Sequence, residues 1–381
     1  LQAAAGLLRA SLRDVDTIAR LGGDEFTIIL ENVAPPVNVA AVAEKIKKAF
    51  SEPFLIHDRE FFVTASIGIS LYPHDASDAE SLLKAADVAM YESKRTGRNT
   101  YTFYAAEMNA QAGERLHMEA LLRHALERRE FVLRFRPRVE TATRKIVGVE
   151  ALLRWNCSAL GLVPPDRFIP LAEETGLIEP IGEWVIQAAC AQSRAWQDRG
   201  VPPLLLSVSL SLRQIRNKKL VEMVAAALEK SGLAPHLLEF AVTESVIMEN
   251  VHENVETLKA LRRLGVTLAI DDFGTGNSSL GHLARLPIDT LKIDGSFVTG
   301  MTTGPEELAL VSTIINLAHS LRLKVVAEGV ETEEQSRLLR LLDCDEMQGF
   351  LFGEPLPGEI FEAGFLAALP IPAAPPAAAP S

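Results

Sequence analysis

Beyond residue 130, eight polar residues end or follow apolar, strand-like runs: Glu150, Glu244, Asp271, Asp272, Lys292, Asp294, Glu328 and Gln348. Taken singly, a carboxylate after a strand often caps the next helix. Taken together on one face, the set points to chemistry. Carboxylates that converge repel one another unless cations sit between them. Hard divalent ions with oxygen ligands are the natural solution. Two such ions beside a lysine and a candidate base describe metal-assisted phosphoester hydrolysis. Nearer the N-terminus, Gly22-Gly23-Asp24-Glu25-Phe26 separates two apolar runs, and its glycines suit a hairpin turn.

The elements that must position these residues follow from periodicity. From Phe131 onward, the runs KIVGVEALLRW, LLLSVSL, LEFAVTE, TLAIDD, TLKID, KVVAEGV and MQGFLFG alternate with helical stretches. Repeated β-then-α alternation predicts parallel strands with crossover helices, and this many repeats predict a closed β/α barrel. In such a barrel the C-terminal ends of the strands form the active-site mouth.

The front of the chain reads differently. Leu1–Leu12 is the end of a helix, and Thr17–Leu30 a hairpin. Pro35-Pro36 precedes a helix to about Phe50, and Phe61–Tyr72 reads as a strand. Ser77-Asp78-Ala79-Glu80 is a capping box whose helix stops near Gly97, and Asn99–Tyr104 is a closing strand. Residues 1–105 thus form one unit, 106–129 a linker helix and 130–367 the barrel, while 368–381 is a Pro/Ala-rich disordered tail.

A formal net charge of −12 disfavours a nucleic-acid binder, which would present a basic face. Cys157, Cys190 and Cys344 lie far apart with no CxxC pair, so a structural zinc site is not expected and reduced thiols in the cytoplasm are. No apolar stretch of about 18 residues is present, so no transmembrane helix is predicted. Residue 1 does not look like a true start, and a sensor or membrane region is expected upstream.

The motifs beyond residue 130 resemble the EAL family of cyclic di-GMP phosphodiesterases. Glu150-Ala151-Leu152-Leu153-Arg154 matches the naming motif, and Asp271-Asp272-Phe273-Gly274-Thr275-Gly276 the DDFGTG loop. Leu291-Lys292-Ile293-Asp294, Ala327-Glu328-Gly329-Val330-Glu331 and Gln348-Gly349 match the later motifs in order. The resemblance implies a (β/α)8 TIM-like barrel in which Glu150, Asp271, Asp272 and Asp294 hold Mg²⁺ or Mn²⁺. It implies that Lys292 holds the attacking water or stabilises phosphate charge, and that Glu328 is a metal ligand or general base. Arg154 would contact cyclic di-GMP, Gln348 would line the same pocket, and the product would be linear pGpG. Homodimerisation is a further expectation from the family.

Several positions depart from that pattern. Ser209, in Val208-Ser209-Leu210-Ser211, stands where the family has a metal-ligating Asn. Ala241, in Ala241-Val242-Thr243-Glu244, stands where the family has a metal-ligating Glu. Arg136-Pro137 replaces a Gln-Pro that meets the ligand, and Arg136 could add a phosphate contact. Asn277 and Gly295 replace a common Tyr and Arg. Even an outer-shell change costs about 10- to 100-fold in metal affinity or activity. Two lost ligand oxygens therefore favour a cyclic di-GMP receptor that needs no metal. An active phosphodiesterase and a scaffold that binds no nucleotide are the alternatives.

The N-terminal motifs resemble the GGDEF family of diguanylate cyclases, implying a partial α+β, nucleotidyl-cyclase-like domain. Gly22 and Gly23 would let backbone approach guanine. Asp24 and Glu25 would bind a metal and help activate the ribose 3′-hydroxyl, and Phe26 completes the motif. Lys94 and Arg98 would hold triphosphate charge. Arg13 and Asp16 resemble the product-binding inhibitory RxxD site, where arginine can grip a guanine edge. The family's first strand and the helices after it have no counterpart in the sequence, so no cyclase activity is expected of this chain alone.

Overall fold

The computed structural model describes residues 1–31, 36–51, 53–56, 59–244, 246, 251–275, 283 and 285–366. The chain divides into two compact units, Leu1–Glu119 and Ala120–Ser381. Asn277 and the Pro/Ala-rich tail lie outside the described residues.

In the first unit, β1 (Thr17–Gly22) and β2 (Glu25–Ile29) form the expected antiparallel hairpin. Gly23 occupies the turn at φ +50, a conformation that favours glycine. The predicted strand Phe61–Tyr72 is instead broken. β3 (Phe54–Ile56) pairs with β4 (Arg59–Phe61), and β5 (Ile67–Ile69) runs parallel to β6 (Tyr101–Phe103). Gly68 explains the close packing of β5 on helix Ala79–Arg95: a Cβ there would stand 1.9 Å from the Ala86 carbonyl oxygen. That helix is capped by Asp78, whose carboxylate accepts the Ser81 N–H, and not by Ser77. Leu8, Ile46, Phe50 and Phe54 form the core, with Ile18 and Phe26 packed against it.

The second unit is a closed eight-stranded barrel. Its strands are β7 (Phe131–Glu140), β8 (Ile146–Cys157), β10 (Leu205–Ser209), β11 (Leu238–Thr243), β12 (Thr267–Phe273), β13 (Thr290–Ile293), β14 (Lys324–Ala327) and β15 (Glu346–Gln348). Short β9 (Gly161–Val163) and β16 (Leu356–Pro357) lie at the margins. The pairs from β8 to β15 are parallel, but β7 runs antiparallel to both β8 and β15. The sequence alternation did not show this. Only a turn joins β7 to β8, and a turn can link only antiparallel neighbours. MQGFLFG likewise yields a strand only as far as Gln348, and the following residues turn.

Alternation along β7 divides the barrel wall. Phe131, Phe135 and Val139 face outward onto helices, with Phe135 4.8 Å from Trp196 between ring centroids. Arg134, Arg136 and Arg138 occupy the opposite, inner face. Arg138 is buried at the floor, where it pairs with Glu239 at 2.6 Å and with Glu346. This network fills the lumen below the mouth.

Candidate functional site

The mouth is organised around a buried cation. Lys292 is in β13 and is wholly buried, with Nζ 3.0 Å from Glu150 Oε1 and 2.8 Å from Glu328 Oε1. Its third neighbour, Asp271, lies 3.3 Å away at Oδ1. The backbone explains how one lysine meets so many acids. Between Ile270↔Leu291 and Phe273↔Ile293 the register shifts, so Asp271 and Asp272 of β12 together oppose Lys292. Such a bulge re-aims side chains, and Asp272 adopts the left-handed conformation at φ +51 that aspartate tolerates better than most residues.

Glu150 lies in β8 directly across from Arg136 of β7. Arg136 donates to Glu150 Oε2 from Nη2 at 2.6 Å and from Nε at 3.1 Å. Gln348 donates from Nε2 to Glu328 Oε1 at 2.6 Å and stands 3.4 Å from Glu150 Oε2. Six sequence-predicted residues therefore meet in one network: Lys292, Glu150, Glu328, Asp271, Arg136 and Gln348.

Electrostatics separate the carboxyls. Burial alone would raise Glu150, but Lys292 and Arg136 outweigh it and hold the group at about 2. Glu328 goes the other way: burial, with Asp271 and Glu150 nearby, pushes it to about 8 despite Lys292. Asp272 is raised to about 6 by burial, then by Asp271 and Asp294. Burial opposes charge on Lys292, yet Asp271, Glu150 and Glu328 keep it protonated.

The other predicted residues lie around this network. Asp294 caps the helix Gly295–Gly300, accepting from the Ser296 backbone N–H at 2.8 Å and from the Ser296 hydroxyl. Glu244 is buried and accepts the Gly274 N–H at 3.1 Å. Ser209 and Ala241 share a rung of the parallel β10–β11 ladder. Arg154 is partly buried, donating from Nη1 to the Leu153 carbonyl at 2.8 Å. Burial, followed by the like charges of Arg134 and Arg136, lowers its pKa.

Sequence reasoning missed Arg134 and Arg138. Arg134 donates weakly to the Pro355 carbonyl at 3.4 Å, and its Nε is buried without a partner. The signal was available: arginines at 134, 136 and 138 in a strand share one face.

Ligand atoms of Glu150, Asp271 and Glu328 lie within 4.8 Å of one another, the one such group among the described residues. Among the described residues, Asp271 Oδ1, Gln348 Oε1 and Glu244 Oε1 are buried without hydrogen-bond donors. Buried acceptors without donors, on a carboxylate cluster, fit a hard divalent cation. The Ser209–Ala241 rung adds only a hydroxyl and a methyl.

In the first unit, Asp24 and Glu25 are exposed at the hairpin turn, and Phe26 packs into the core beneath it. Lys94, in the last helical turn, and Arg98 are exposed. The Arg13 backbone N–H donates to Asp16 Oδ2 at 2.8 Å, leaving the Arg13 side chain outward.

Comparison with known proteins agrees with this division. The family model "Diguanylate cyclase, GGDEF domain" matches residues 1–100, and "EAL domain" matches 119–355. The bifunctional diguanylate cyclase/cyclic di-GMP phosphodiesterase MucR of Pseudomonas aeruginosa is 46% identical over 352 residues, covering 92% of this chain and 51% of MucR. The cyclic di-GMP phosphodiesterase NbdA of the same organism is 40% identical over 369 residues, covering 97% of this chain and 47% of NbdA. The chain thus spans about half the length of these curated relatives. The structure of the PaMucR phosphodiesterase in complex with c-di-GMP is 45% identical, with a TM-score of 0.63, covering 64% of this chain and 99% of that one. The two matched domains, their order and the barrel they predict place this chain in the GGDEF–EAL family of cyclic di-GMP signalling proteins.

Proposed function

We propose that the EAL barrel binds cyclic di-GMP at its mouth as a receptor, with phosphodiesterase activity lost or weak. One observation carries this reading: Ser209 and Ala241 share a rung. Ser209 lies two residues beyond Ser207, the partner of Glu150, so the rung faces the same side of the sheet as Glu150. There the family pattern has two ligand oxygens and one negative charge, and this chain has a hydroxyl and a methyl. Losing both from one ion weighs more than the roughly 10- to 100-fold cost of an outer-shell change.

The ligand side is better preserved. Arg154 stands near Glu150 with Arg134 close to it, and guanidinium groups suit the phosphates of a cyclic dinucleotide. Gln348 lines the same pocket. The complex of the similar PaMucR phosphodiesterase with c-di-GMP supports this choice of ligand. In the first unit, the same reading gives Asp24 and Glu25 a metal-binding role on GTP, and Lys94 and Arg98 a phosphate role. Arg13 and Asp16 would form the product site.

A second reading rests on the Glu150–Asp271–Glu328 cluster, which could still hold one cation and hydrolyse the ligand to pGpG. Calorimetric titration of the chain with cyclic di-GMP decides between them. Saturable binding in chelator, with no pGpG formed after Mg²⁺ or Mn²⁺ is added, is expected. Robust metal-dependent hydrolysis would replace the receptor with an enzyme, and no binding under either condition would leave a scaffold.

A further inference from the structure

The three arginines on the inner face of β7 have different fates. Arg138 is consumed by Glu239 and Glu346 at the floor. Arg134 reaches only a carbonyl, at 3.4 Å. Arg136 turns both Nε and Nη2 onto one oxygen of Glu150. The other oxygen of Glu150 takes Lys292 at 3.0 Å. Both oxygens of this buried carboxylate are thus held by cations belonging to the chain.

Asp271 differs. Its Oδ2 accepts a long hydrogen bond from Lys292 at 3.4 Å, while its Oδ1 lies 3.3 Å from the lysine and has no hydrogen-bond partner among the described residues. Lys292 and Gln348 both meet Glu328 at Oε1, so of the three clustered acids Glu150 is the one with a different chain cation on each oxygen. A divalent ion seeking it would have to displace a guanidinium that cannot shed its charge. It would then sit beside that guanidinium as a like charge in a poorly solvated site.

We infer that Arg136 is a resident counter-cation that takes Glu150 out of the metal-ligand set and makes the mouth independent of metal. This deepens the receptor reading and rests on it: the positive charge that a metal would supply to an anionic dinucleotide is built into β7. Arg136 is then a specificity-determining residue that acts on Glu150. An arginine free to grip phosphate would not be spent on a carboxylate.

Titration with Mn²⁺, read as free ion by electron paramagnetic resonance on the full chain without nucleotide, tests the assignment independently of any hydrolysis. Arg136→Gln should raise Mn²⁺ affinity by about 10- to 100-fold, the range found when groups next to a metal shell are changed. Arg136→Lys, which keeps the charge, should leave affinity near that of the parent. Adding Glu150→Gln to Arg136→Gln should abolish the gain, because the freed Glu150 carboxylate is the ligand gained.

Equal affinity of the parent and a folded Arg136→Gln would overturn the inference. So would a rise with Arg136→Lys as large as that with Arg136→Gln, which would make the effect one of shape. If Arg136→Gln does not fold, Arg136→Met, which keeps the apolar stem, is read in the same titration, and an affinity equal to that of the parent there rejects the assignment. Cyclic di-GMP titration in chelator is scored separately: its failure removes the receptor reading and leaves the Mn²⁺ result to judge Arg136 alone.

Discussion

Ser209 and Ala241 are direct partners across the β10–β11 ladder, so the two departures from the family's metal-ligand pattern lie side by side. Neighbouring ligands of one ion are coupled, and their effects should not add. Ser209→Asn with Ala241→Glu is expected to produce Mg²⁺- or Mn²⁺-dependent cleavage of cyclic di-GMP to pGpG only once Arg136→Gln also frees Glu150, while each change alone gives little. Chromatography of the nucleotide products checks this. An inactive double variant that gains activity on adding Arg136→Gln would assign the remaining block to the Arg136–Glu150 pair.

Lys292→Met removes the ammonium at the centre of Glu150, Asp271 and Glu328. Breaking a buried pair by deleting one partner costs about 3–5 kcal/mol, because the other charge is left uncompensated. A drop of that order should appear in urea unfolding of the barrel. Glu328, pushed up to about 8, is already largely protonated at neutral pH, so the charge left uncompensated is chiefly that of Glu150, held at about 2. An unchanged midpoint at neutral pH would show that Lys292 does not hold the cluster.

Stability should depend on pH in a defined direction in metal-free buffer. Glu328 rises from its ordinary 4.5 to about 8 on folding, and Asp272 from 3.8 to about 6. Each binds its proton more tightly when folded, so its stabilisation is complete below the unfolded value and is lost as pH climbs through the folded one. Their combined contribution should therefore fall between about pH 4 and 8. Glu150, held at about 2, acts oppositely and is lost only as pH drops from 4.5 toward 2. Denaturant midpoints measured across pH should fall less steeply above pH 6 in Glu328→Gln than in the parent, and parallel curves would refute the Glu328 assignment.

Arg154→Ala should weaken cyclic di-GMP binding in chelator by about 1.5–3 kcal/mol, the worth of a hydrogen bond to a charged group. That corresponds to a Kd roughly 10- to 150-fold higher. Among the described residues Arg154 bonds only its neighbour's carbonyl, so its removal should leave unfolding nearly unchanged. Calorimetry and thermal melts together check both halves; undiminished affinity would place the ligand elsewhere.

Much of this was legible in local pattern. Alternation between strand-like and helical runs identified the barrel, and residues ending those runs included Lys292, Asp271 and Glu328, which do meet at its mouth. Asp294 shows the limit of such reasoning. It too follows a strand, and in the structure its side chain both caps a helix and lies beside Asp272, a placement that residue order does not show.

The sequence by itself determined the alternation of strands and helices that builds the barrel, because apolar periodicity is a local property of each run. It also showed where the chain departs from the family pattern, at Ser209 and Ala241, since that depends only on residue type. Only the tertiary structure decided which charge meets which. Arg136 finds Glu150 because β7 runs antiparallel beside β8, and Arg138 finds Glu239 because the barrel closes. Asp271 and Asp272 oppose a single lysine because the β12–β13 register shifts by one residue there. Such pairings are set by register, strand direction and closure, which join residues more than a hundred positions apart, as with Glu150 and Lys292, and leave no trace in local spacing.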